Sequence, residues 1–169
     1  MKGLRKKVFS GKLIRVYRSY LYLPDGRRSY FEQVEHPGAA IAVPFIGQKL
    51  IFIRQYRAVV GKYLWELPAG KLSCGEMPSA CARREVAEET GYIVSSVKRA
   101  GMMYTSPGFS DEKIFVYTAR CSGKGKTARD RDEFISVKLL TKKEARRMVM
   151  SGKITDAKTV VALAFAGII

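Results

Sequence analysis

Gly70-Lys71-Leu72-Ser73-Cys74-Gly75-Glu76 and, seven residues later, Arg84-Glu85-Val86-Ala87-Glu88-Glu89-Thr90-Gly91-Tyr92 form the most informative stretch of this chain. The intervening Pro78 suits the first turn of a helix, and Gly91 suits the position just past its end, so a helix is expected from about Pro78 to Thr90. On that helix Glu85, Glu88 and Glu89 are related by three and four residues and share a face. Three carboxylates that close raise one another's pKa values and weaken the helix. A divalent cation removes the penalty: Mg²⁺ takes oxygen ligands, keeps some of its waters and bridges to phosphate oxygens. The glycines before the helix let the backbone approach the same ion.

Outward from this stretch, the upstream chain is rich in strand formers. Leu13 to Leu23 and Tyr30 to Val34 flank a Pro24-Asp25-Gly26 turn and predict a small antiparallel sheet. Ala39–Pro44 and Leu50–Gln55 predict two more strands joined near Gly47, and Leu64–Leu67 a short one. Downstream, Ile114–Ala119 and Ile135–Leu140 read as strands. Thr141 with Glu144 makes a capping box for a helix reaching about Ser151, and Asp156 caps a last helix to about Ala166. This order predicts an α+β fold, a mixed sheet flanked by helices. Residues 1–38 are expected to form an N-terminal antiparallel β-subdomain and 39–169 the main domain.

The chain has 169 residues and is 47% hydrophobic, enough for a proper core. Its net charge of +16 favours anionic partners without choosing among them. The acids, by contrast, are gathered: ten of the fifteen lie between Glu66 and Glu133, which suits a bound cation. Cys74, Cys81 and Cys121 are odd in number and form no CxxC pair, so neither a disulfide framework nor a zinc site is expected, and a cytoplasmic location fits. The basic start is not followed by a signal-peptide core. The apolar run Val160–Ile169 is too short to span a bilayer, so no membrane association is expected.

The quoted stretch resembles the Nudix box, G-x5-E-x7-R-E-U-x-E-E-x-G-U, matching every fixed position, with an aromatic Tyr92 where the last site is usually aliphatic. The resemblance implies a Nudix fold with a mixed sheet sandwiched between helices. It implies an Mg²⁺-dependent pyrophosphohydrolase, with Mn²⁺ as a substitute. Glu85 and Glu89 would be the main metal ligands, assisted by Glu88 and by the backbone carbonyl of Ala69. Arg84 and Glu76 would orient the carboxylates.

Arg54-Gln55-Tyr56-Arg57, Trp65-Glu66-Leu67-Pro68-Ala69-Gly70 and Tyr104–Glu112 are similar to segments of ADP-ribose and nucleoside diphosphate sugar pyrophosphatases. Pro107, about fifteen residues past the box, marks ADP-ribose-cleaving members. These segments make Arg54, Arg57, Glu66, Pro107 and Glu112 the substrate-binding candidates, and a planar guanidinium suits a pyrophosphate. The general base is expected in the late loop Arg129–Phe134, with Glu133 first and Asp130 and Asp132 behind it. Members of this type are usually homodimers that exchange N-terminal sheets. Alternatives are GDP-mannose or dinucleotide polyphosphates as substrate, or a basic nucleic-acid-binding protein on the same scaffold.

Three features are discounted. Gly123-Lys124-Gly125-Lys126-Thr127 lacks the first glycine of a phosphate-binding loop and is expected as a flexible basic loop. His36 has no partner at ligand spacing. The Lys142–Arg147 run reads as the solvated face of a helix.

Overall fold

The computed structural model describes residues 5–128 and 134–169. They fall into two units, one of the described residues up to Gly38 with Met103–Ile114, the other of Ala39–Met102 with the described residues from Phe115 on.

In the first unit β1 (Arg5–Ser10), β2 (Arg15–Tyr22) and β3 (Arg28–Glu35) form an antiparallel sheet in that order. The β2–β3 hairpin turns where Leu23 O accepts from Gly26 N–H at 2.9 Å, with Gly26 at φ 83°. The segment 106–111 is tied to β3. Val34 N–H donates to Phe109 O at 2.7 Å, Asp111 N–H to Val34 O at 3.2 Å, and His36 N–H to Asp111 Oδ1 at 2.9 Å.

The second unit is built on a mixed sheet. Its strands are β4 (Ala39–Ile46), β5 (Lys49–Arg57), β6 (Lys62–Glu66), β7 (Ala69–Lys71), β8 (Tyr92–Tyr104), β9 (Lys113–Lys124) and β10 (Ile135–Leu140). Among the described residues the main order is β10-β5-β4-β9-β8, with β6 paired to β5 and β7 to β4. β8, which propensity does not announce, is an edge strand of this path. It reads Ser95, Ser96, Lys98, Arg99 and Gly101 in its middle, and one-sided pairing with partial exposure leaves no clean alternation.

The helices are α1 (Pro78–Thr90), α2 (Lys142–Met150) and α3 (Ala157–Phe165). Their ends follow the sequence signals. Gly91 closes α1 in the left-handed conformation at φ 72°, Thr141 and Glu144 make the capping box of α2, and Asp156 accepts the Thr159 N–H to open α3. Cys81, Ala82 and Val86 of α1 pack with Ala40, Ala42 and Ile51 of the sheet. The alternate residues Ile41 and Val43 face the other way and are also fully buried. α3 packs against β4, with Ala162 and Leu163 buried outside the α1 cluster. Burial on both sheet faces explains why β4 is a continuous apolar run rather than an alternating one.

Candidate active site

β6, the short β7 and α1 are consecutive in the chain, and their junction gathers the acidic residues. Arg84 is the hub. Its Nε donates to Glu76 Oε1 at 2.9 Å and its Nη2 to Glu76 Oε2 at 3.0 Å, a two-point grip. Its Nη1 reaches Glu85 Oε1 at 2.6 Å and Glu88 Oε2 at 2.9 Å, and Nη2 also reaches the Lys71 carbonyl at 3.3 Å. One guanidinium thus links the loop before the helix to two carboxylates on it. The Arg84 guanidinium, helped by the Ser73 N–H, holds the Glu76 carboxyl down to about 2. The same grip raises the Arg84 pKa above its ordinary value.

Glu85 and Glu89 are both buried. Glu89 Oε2 accepts the Ala69 N–H at 3.3 Å. Glu85 lies so close to Gly70 that a Cβ there would overlap its carboxylate, with Oε2 at 2.7 Å. Only glycine lets the β7 backbone meet the helix carboxylates at this range, so Ala69, Gly70, Glu85 and Glu89 come together. Beneath them, burial and the neighbouring Glu85 push the Cys81 thiol up to about 12, so it remains a protonated core residue.

A second cluster surrounds Glu66, which is fully buried. Arg57 grips it twice, Nε to Oε1 at 2.8 Å and Nη2 to Oε2 at 2.6 Å, and Lys158 Nζ bonds Oε2 as well. Burial pushes the Glu66 pKa up, but the two cations outweigh it and the carboxyl sits below its usual value. Lys158 also binds Asp156 Oδ1 at 2.8 Å, and Thr159 Oγ1 accepts the buried Leu67 N–H at 2.9 Å. Arg57 and Lys158 border an open recess of about 510 Å³ with Gln55, Tyr56 and Val60.

Arg54 and Arg57 are three residues apart on β5 and so face opposite sides of the sheet, Arg54 lying over the Tyr63 ring at 4.8 Å. Pro107 and Glu112 belong to the first unit. Pro107 lines a recess of about 760 Å³ with Phe31, Val34, Tyr104 and Phe109. Glu112 Oε2 accepts the Thr105 hydroxyl at 2.7 Å. His36 Nδ1 lies 3.5 Å from Glu112 and accepts the Gly38 N–H at 3.1 Å, a structural role. Glu133, Asp130 and Asp132 lie outside the described residues. Of the loop expected at Gly123–Thr127, Gly123 and Lys124 end β9; beyond them Gly125 N–H donates to Gly91 O at 2.5 Å and Ala128 N–H to Glu88 O at 3.1 Å, giving donors to carbonyls at the end of α1.

Sequence reasoning missed Lys158 and Thr159. The Asp156 cap was readable, but the partners of Lys158 and Thr159 lie 92 residues away in the chain.

Residues 35–162 match the NUDIX domain model, and the chain belongs to the Nudix family of pyrophosphohydrolases. It is 38% identical to an ADP-ribose pyrophosphatase of Bacillus subtilis over 95% of this chain and 89% of that protein. It is 37% identical to a methanol dehydrogenase activator of Bacillus methanolicus over 95% of this chain and 88% of that protein. A crystal structure of an ADP compounds hydrolase shares the fold, with a TM-score of 0.81 at 20% identity, over 98% of this chain and 92% of that one. Among the described residues no helix is long and apolar enough to cross a membrane.

Proposed function

We propose that this protein hydrolyses the pyrophosphate bond of ADP-ribose or a related nucleoside diphosphate sugar, releasing a nucleoside monophosphate and a sugar phosphate. The observation that carries this reading is the convergence of Glu85 and Glu89 on the Ala69–Gly70 backbone, with Arg84 fastening Glu85, Glu88 and Glu76 together.

The donor set fits a hard divalent cation, Mg²⁺ with Mn²⁺ as substitute. Among the described residues no group of three or more His, Cys, Asp or Glu side chains is placed to hold a metal ion. None is needed, because Mg²⁺ keeps several waters and is bound through one or two carboxylates plus substrate oxygens. Glu85, Glu89 and the Ala69 carbonyl would hold it, with Glu88 assisting. When bound, it would offset phosphate charge and acidify a water. Arg84 and Glu76 keep the carboxylates in place. Arg57 presents the part of its guanidinium that Glu66 does not grip to a phosphate, and Arg54, Pro107 and Glu112 contribute to recognising the rest of the substrate. Glu133, or failing it Asp130 or Asp132, takes the proton from the attacking water. The first unit serves as a homodimer interface, and the enzyme works in the cytoplasm.

The test is hydrolysis of ADP-ribose, GDP-mannose, NADH and diadenosine polyphosphates, with products identified, in Mg²⁺ and in EDTA. ADP-ribose cleaved to AMP and ribose 5-phosphate only with metal supports the reading. A preference for GDP-mannose or the dinucleotides moves the substrate. Full turnover in EDTA overturns the mechanism. RNA binding with a steep salt slope and no hydrolysis of any nucleotide overturns the enzyme reading.

A further inference from the structure

At the start of α3, Asp156-Ala157-Lys158-Thr159 puts two polar side chains on the segment that leads into the box and a third, Asp156, behind them. Thr159 Oγ1 takes the Leu67 N–H, Lys158 takes the neighbouring Glu66 carboxylate, and Asp156 holds Lys158 while capping the helix through Thr159 N–H at 3.0 Å. The Glu66 side chain is fully buried and carries three donors, two of them from Arg57. Glu66, Asp156, Arg57 and Lys158 form a chain of alternating charges whose formal sum is zero. A carboxylate in that position is costly unless fully paired. Arg57 alone would supply one cation to a group that the structure gives two. The Lys158 side chain is 20% exposed and Arg57 is 37% exposed, so Arg57 is the member of the pair that faces the recess more openly.

We infer that Lys158 is a positioning residue of the hydrolase site, which by sharing the Glu66 carboxylate holds the Arg57 guanidinium in the orientation that receives a substrate phosphate. Its role is indirect: it sets where Arg57 points and how much of the Arg57 charge is spent on Glu66. Loss of Lys158 leaves Glu66 to Arg57 alone, so more of the Arg57 charge is spent on that carboxylate, and leaves Asp156 with its capping bond to Thr159 N–H. The consequence falls first on substrate affinity, because Lys158 reaches Arg57 through the Glu66 carboxylate that the two share.

The inference rests on the nucleotide pyrophosphatase reading, so the experiment separates the two. Kinetics with ADP-ribose are measured for the wild type, K158M, K158R, R57A and R57A/K158M. K158M is expected to raise KM about tenfold with kcat within about threefold, and K158R to recover most of the loss. In the R57A background K158M is expected to add less than about twofold, since residues acting through one contact are not additive. Additive losses, a fall in kcat at unchanged KM, or wild-type kinetics in K158M would overturn it. If K158M melts well below the wild type, D156N, which loosens Lys158 but keeps a capping side chain, carries the same cycle. Calorimetric binding of ADP-ribose in EDTA repeats it on Kd. A wild type that binds but does not cleave then counts against the reaction, while the linkage of Lys158 to Arg57 is still decided.

Discussion

Arg84 and Glu76 are joined by two parallel hydrogen bonds, Nε to Oε1 at 2.9 Å and Nη2 to Oε2 at 3.0 Å, across eight residues of chain. The remaining nitrogen, Nη1, is thereby aimed at Glu85 and Glu88. The arginine conserves the shape of the acidic face by fastening helix to loop.

Replacing this planar fork by a single ammonium should disturb the carboxylates without removing any of them. Arg84→Lys is expected to lower kcat by about 10- to 100-fold, the usual scale for groups that orient metal ligands. Circular dichroism should stay native. Wild-type turnover in Arg84→Lys would refute the orienting role.

Glu85→Gln and Glu89→Gln keep shape and remove charge. Each is expected to cut kcat by about two to four orders of magnitude, equivalent to several kcal/mol of lost charge stabilisation. EDTA should abolish activity, and Mg²⁺ or Mn²⁺ should restore it. Near-normal rates in both variants would remove these residues from the metal site.

Glu76 also makes a prediction for acid stability. Its folded pKa of about 2 lies below the ordinary 4.5, so the unfolded chain takes up the proton first as pH falls. The Arg84 pairing therefore stabilises fully above about pH 4.5 and is lost as pH drops through about 2. Denaturant midpoints measured across that window should fall less steeply for Glu76→Gln than for the wild type. Identical slopes would mean that the pairing makes no net contribution to folding.

The base is tested on the late loop. Glu133→Gln is expected to lower kcat and to flatten its rise from acid to neutral pH, which follows ionisation of the base, with little change in KM. If only Asp130→Asn or Asp132→Asn does so, the proton acceptor is the neighbouring acid.

Much of this protein was legible before any coordinates. The bounds of α1, its closing Gly91, the capping box of α2 and the Asp156 cap are local: Gly91 N–H bonds the Ala87 carbonyl four residues back, and the Thr141 and Asp156 side chains accept N–H groups three residues on. The shared face of Glu85, Glu88 and Glu89 follows from helical periodicity alone. The chain order of the acids and glycines in the box likewise marked Ala69, Glu85, Glu88 and Glu89 as the candidates for meeting a metal. Tertiary structure decided the rest. The edge strand β8 exists because β9 supplies it with partners, not because its own residues alternate. Arg54 and Arg57, alike on paper, are sent to opposite faces by the pleat, one to the Tyr63 ring and the other to Glu66. Lys158 meets Glu66 only because α3 returns to β6, and a contact across 92 residues has no local signature. The box of Gly70–Tyr92 specifies the chemistry through short-range geometry. Which cations pair with the buried Glu66 depends on contacts that only the folded chain brings within reach.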